Sequence, residues 1–165
     1  MIFDWADYLA LARQLATKWQ QTARNDSPTD TLADAPSEPF GLAPTSPEAA
    51  LRTAVSRAYY AAFHFARDYL DRQGRLPYSR DESHATVWRS FDRGGREAKI
   101  KSDGFYLRDA RIVADYEPDL TDAAERATRS APQTEGRMTW QDSADIAVRR
   151  AARMLSLLRD LQRKK

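Results

Sequence analysis

The sequence predicts an all-α protein, a helical bundle of four main helices with one or two short ones. Three observations carry that prediction. No sustained stretch alternates apolar and polar residues with β-branched enrichment, the pattern of a half-buried strand. Alanine, leucine and arginine dominate the periodic segments, and these residues lose little on entering a helix. Apolar residues recur at three- and four-residue spacing over long stretches, which places them on one helical face. At 165 residues the chain is expected to fold as a single domain, 1–165, large enough to bury one core without metal or disulfide.

The first helix is predicted over residues 2–24, where Trp5, Leu9, Ala12, Leu15 (or Ala16) and Trp19 form a stripe. Residues 25–47, NDSPTDTLADAPSEPFGLAPTSP, hold five of the eight prolines, four acids and no base, a composition that suits a surface loop. Ser46, Pro47 and Glu48 then supply an N-cap, a proline at the first helical position and a carboxylate against the dipole. That second helix is expected to reach about Gln73, before Gly74. A shorter helix is predicted from Ser83 to Arg93, closed by Gly94 and Gly95. Another is predicted from Lys99 to Tyr116, weakened near its start by Gly104 and stopped by Pro118. Residues 117–138 read as an irregular insertion in which DAAERATR can form a short helix before SAPQTEGR breaks it. The last helix opens on Thr139 and Asp142, the spacing of a capping box, and runs through Leu161.

The net charge of +2 is unevenly spread, because removing the acidic 25–47 segment leaves 26 bases against 20 acids. The C-terminal stretch VRRAARMLSLLRDLQRKK concentrates the excess, with seven bases and one acid. Such a face attracts phosphate, and it equally suits a solvated helix with a cationic tail. The chain has no cysteine, which excludes disulfides, zinc–cysteine sites and thiol nucleophiles. The opening MIFDWADYLALA is amphipathic and acidic where a signal peptide is basic and then apolar, and no run is long enough to span a membrane. A cytoplasmic protein is expected.

Motifs for the common enzyme classes are missing: there is no glycine-rich phosphate loop, no H-E-x-x-H and no G-x-S-x-G, and the chain has two histidines. Three segments instead carry a family pattern. The first is SRAYYAAFHFARDYL at residues 56–70, the second is LRDARIVADY ending at Tyr116, and the third is ADIAVRRAARMLSLL in the last helix. In that order they resemble the small stand-alone bacterial HEPN proteins, over most of the chain outside 25–47 and 117–138. The resemblance implies a helical bundle, frequently a homodimer, without a cofactor or metal. It implies work on RNA in toxin–antitoxin or antiviral defence systems, with a nucleotidyltransferase-like or effector partner.

Active members of that family are metal-independent ribonucleases that carry an arginine, four to six residues, and a histidine. Arginine holds the scissile phosphate while histidine moves a proton. Here the matching segment reads Arg111 to Asp115 and Tyr116, with aspartate where the family has histidine and three intervening residues; Arg108 to Asp115 restores a gap of six. An aspartate, with an ordinary pKa of about 3.9, is a poor proton carrier at neutral pH and repels phosphate. An Arg111–Asp115 pair on one helical face can orient the arginine or stabilise the bundle. Arg57 and His64 have the family's spacing in a different helix; a lone histidine at that boundary of core and surface is more often a packed, hydrogen-bonded residue, and His64 is the replacement proton carrier if instead the second helix faces Arg111 and Asp115. Tyr60 or Tyr116 would then donate to a phosphate oxygen. His84, next to Asp81 and Glu82, ranks below His64. Arg149, Arg150 and Arg153, together with Arg108, are the candidates for RNA-backbone contact. The non-catalytic alternative is an interaction module built on the same bundle. Trp5, Trp19, Trp88 and Trp140 read as core or subunit-interface residues in preference to base-stacking platforms.

Overall fold

A computed structural model describes residues 4–25, 46–76, 84–117 and 138–163, with the side chains of 19–25 outside that description. The segments read as loop and irregular insertion, apart from their ends, and the Trp19 side chain therefore lie outside the described residues. Five helices make up the described chain: α1 (Trp5–Asn25), α2 (Pro47–Arg72), α3 (His84–Arg89), α4 (Gly95–Tyr116) and α5 (Trp140–Arg163). No strand occurs among the described residues, so the molecule is an all-α bundle. No helix among them is long and apolar enough to cross a membrane.

Helix α2 is the axis, packing against all four others. Its composition explains this. Ala50, Ala54, Ala58, Ala61, Ala62 and Ala66 are fully buried on several faces, and such small side chains let neighbouring helices come close. Its start is the one the sequence specifies: Ser46 is extended, its hydroxyl accepts from the Ala49 amide at 3.1 Å, and Pro47 begins the helix. Helix α1 lays Leu9, Ala12 and Ala16 into the core. Helix α5 opens on the expected capping box, in which the Asp142 amide donates to Thr139 Oγ1 at 3.1 Å and the Thr139 amide to Asp142 Oδ2 at 3.0 Å.

The expected boundaries of α3 and α4 need correction. Helix α3 stops at Arg89, and Gly94 and Gly95 start α4 instead of closing α3. Both glycines have positive φ, +74° and +53°, a turn that side-chain-bearing residues adopt reluctantly. Glu97 then reaches back to accept from the Arg93 amide at 3.3 Å, which supports the first turn. Gly104 also has a packing role that propensity misses. A Cβ at that position would lie 2.3 Å from the Trp88 ring, so the glycine admits the fully buried indole of α3 against the backbone of α4.

Two arginines fasten the ends of elements. Arg75, just past α2, donates from both terminal nitrogens to the two Glu97 oxygens at 2.8 and 2.9 Å, pinning α2 to the start of α4. Arg52 donates to the carbonyls of Ala114 (3.2 Å) and Glu117 (2.7 Å) and stacks 4.1 Å above the Trp140 ring. It therefore joins α2 to the end of α4 and the start of α5.

Candidate functional site

The side of α2 that faces α3 and α4 carries Tyr59, Tyr60 and Phe63. These spacings of three and four residues set the three aromatics on one broad face of the helix. His84, the first residue of α3, lies flat on Phe63 with ring centres 4.3 Å apart and an interplanar angle of 10°. Its Nδ1 hydrogen-bonds the Tyr59 hydroxyl. Tyr60 meets the same imidazole edge-on at 6.3 Å, and the Arg111 guanidinium from α4 sits 5.4 Å from the Tyr60 ring. Tyr60 thus stands between an imidazole and an arginine that are 27 residues apart in sequence.

The electrostatics agree with that placement. Burial holds the His84 imidazole below its ordinary pKa of 6.5, and the positive charges of Arg111 and Arg108 push it the same way. The ring is therefore mainly neutral at pH 7. Burial also raises the Tyr59 phenol above its usual range; the Trp88 indole N–H and the two arginines offset this only in part, and the indole makes no hydrogen bond of normal geometry. Arg111 Nε lies 2.6 Å from Asp115 Oδ2, an ion pair whose direction departs from that of a hydrogen bond, while Nη2 reaches the Tyr116 hydroxyl at 3.5 Å. Arg108 pairs with Asp109 at 3.3 Å. Tyr116 itself is 69% exposed.

The reading that sets His64 beside Arg111 is not met: the imidazole across Tyr60 from Arg111 is that of His84. His64 stacks face to face on Trp5 of α1, with centres 3.7 Å apart and planes 7° from parallel. Arg57 lies on the same side, 4.9 Å over the Tyr8 ring. Arg57 and His64 do share a face of α2, as their spacing requires, but that face meets α1. The charges that act on His64 are those of Arg67, Asp68 and His84, and its pKa is lowered mainly by burial. The two histidines flank Phe63, whose ring centre is 5.1 Å from His64.

The basic residues of α5 are not equivalent. Arg150 and Arg153 converge on Asp103 of α4, whose side chain is 3% exposed: Arg150 Nη1 donates to Oδ1 at 2.8 Å and Arg153 Nε to Oδ2 at 2.9 Å. Arg150 also covers the Tyr106 ring at 3.9 Å. Both arginines therefore hold α5 to α4, and of the three candidates only Arg149 is exposed without such a contact. Sequence reasoning missed three members of these clusters, Tyr59, Trp88 and Asp103. Trp88 reads as a core or subunit-interface residue, Tyr59 carries no signal that sets it apart from Tyr60, and the partners of Asp103 lie 47 and 50 residues away. Among the described residues no group of three histidine or carboxylate side chains is placed to hold a metal ion. Set against protein-family models, curated proteins and solved structures, the chain matches none of them.

Proposed function

We propose that the chain is a HEPN-like protein that acts on RNA in a bacterial toxin–antitoxin or defence system, holding a backbone phosphate between His84, Arg108 and Arg111. One observation carries the reading: the half-buried imidazole of α3 and the Arg111 guanidinium of α4 meet on either side of Tyr60, with the charge of Arg108 also acting on the imidazole, the combination a phosphodiester needs for recognition. In the ribonuclease form of this reading the imidazole removes the 2′-hydroxyl proton, O2′ attacks phosphorus, the P–O5′ bond breaks, and the leaving oxygen takes a proton. The products are a cyclic phosphate and a free 5′-hydroxyl. His84 takes the place first given to His64, and Asp115 orients Arg111.

A second reading, a non-catalytic module that binds a nucleotidyltransferase-like or effector partner or a second copy of itself, is favoured by a different observation. Arg108 and Arg111 each have a carboxylate beside them, Asp109 and Asp115, which balances the local charge. Fluorescence anisotropy with single-stranded RNA separates the two. The RNA reading expects binding that weakens with salt, with Arg111→Ala lowering affinity about ten-fold and reducing the salt slope by about one. Wild-type protein that folds normally and shows no affinity for RNA at low salt would remove the RNA reading in favour of the partner-binding one.

A further inference from the structure

We infer that Tyr59 fixes the tautomer of His84, so that the neutral ring presents an Nε2–H donor and the cluster receives a phosphate without supplying a base. The inference rests on the RNA reading for its ligand, but its physical argument stands on the hydrogen-bond inventory alone. Tyr59 is fully buried, and a buried phenol must place its proton on an acceptor. The group its hydroxyl meets is His84 Nδ1. Among the described residues that is the one hydrogen bond its hydroxyl makes; the Trp88 indole, Arg108 and Arg111, whose charges and dipoles also act on it, can only donate, and the Tyr60 oxygen is not within hydrogen-bond reach. Tyr59 therefore donates to Nδ1, and the proton of the neutral imidazole belongs on Nε2.

This assignment changes what the cluster can do. With Nδ1 occupied by an incoming hydrogen bond and Nε2 protonated, the ring has no free lone pair with which to take a proton from a ribose hydroxyl. Nε2–H, Arg108 and Arg111 become a set of donors, suited to the non-bridging oxygens of a phosphodiester. Cleavage would require the Tyr59 proton to turn away so that Nδ1 carries hydrogen and Nε2 is freed. Among the described residues His84 Nδ1 is the one group to which that hydroxyl hydrogen-bonds, so the turned proton would lose its partner. Tyr59 is thus a positioning residue: it acts through His84.

Nitrogen-15 NMR of the imidazoles tests the assignment, and the chain's two histidines make the spectrum simple, with His64→Gln identifying which ring is which. At pH 8 His84 is expected as the Nε2–H tautomer, with an Nδ1 resonance displaced in the direction of a hydrogen-bonded acceptor. Tyr59→Phe is expected to abolish that displacement. The wild-type protein is expected to bind RNA and leave it intact in EDTA. A wild-type His84 carrying its proton on Nδ1 would overturn the inference, whatever the RNA result. RNA cleavage that His84→Ala abolishes would overturn it as well. The expected tautomer without any RNA affinity would support the inference and remove the RNA reading instead.

Discussion

Two pairs of arginines meet α4, and they differ in what stands opposite them. Arg150 and Arg153 reach across from α5 to the buried carboxylate of Asp103, and Asp103 is enclosed by them. Arg108 and Arg111 belong to α4 itself, and their carboxylates, Asp109 and Asp115, lie next to them on the same helix, close to solvent. From sequence all four are cations on amphipathic helices, Arg111 a candidate for the scissile phosphate and the other three for the RNA backbone. Burial of one acid separates them, because a carboxylate removed from water must be paired, whereas an exposed one can exchange its partner for a ligand at little cost. The first cluster ties two helices together; the second is paired within one helix.

The sharpest way to break that contrast is Asp103→Ala. It should cost about 3 kcal/mol in urea unfolding, since it removes the charge-assisted hydrogen bonds by which two arginines of α5 hold α4. A loss well under 1 kcal/mol would make Arg150 and Arg153 as free as Arg108 and Arg111, and the distinction would collapse.

Gly104→Ala, at the residue after Asp103, is the next largest. Helix propensity alone predicts a gain of about 1 kcal/mol. The Trp88 ring 2.3 Å from the new methyl predicts overpacking that reverses the sign, to a net loss of about 2 kcal/mol. Chemical denaturation gives the sign directly. Because Trp88 lies against Tyr59, the same variant should shift the His84 resonances, and unchanged resonances would detach the His84 cluster from its floor.

The smallest effect extends the contrast to Glu97, the other buried acid of α4. Hydrogen bonds from Arg75 hold its carboxyl below the ordinary value of 4.5. The folded state therefore binds this proton less readily than the unfolded one. The stabilisation is whole above about pH 4.5 and drains away as the pH falls through the lower folded value. Asp142, held low by Thr139, acts on the same acid limb. Glu97→Gln should be less stable than wild type by about 1.5 kcal/mol at neutral pH, with the gap closing in acid. Parallel melting curves at pH 7 and pH 3 check this, and a constant gap would show that Glu97 is not ionised in the fold.

Much of the architecture was legible because it rests on local rules. Ser46 with Pro47 and Thr139 with Asp142 act within one turn, and the alanine-rich face of α2 announces close packing wherever its partners lie. What could not be read depends on where distant elements land. Nothing in SRAYYAAFHFARDYL says which side of α2 meets α1 and which meets α4, so His84 ranks below His64 on the acids Asp81 and Glu82 beside it. Asp81 and Glu82 suit the capping of a helix predicted from Ser83, yet they give no hint that the helix would set the His84 ring against Tyr59. Gly94 and Gly95 mark a boundary from either side, and only the fold decides that they begin α4. Gly104 looks like a helix defect until Trp88 is seen to occupy its missing side chain.

Arg52 has a consequence for the end of α4. The last turn of a helix ordinarily frays, because its final carbonyls lack partners. Here a side chain 62 and 65 residues earlier takes up those of Ala114 and Glu117. The turn that carries Arg111, Asp115 and Tyr116 is thereby preorganised, and a ligand meeting these side chains would spend little of its binding free energy on ordering the backbone beneath them.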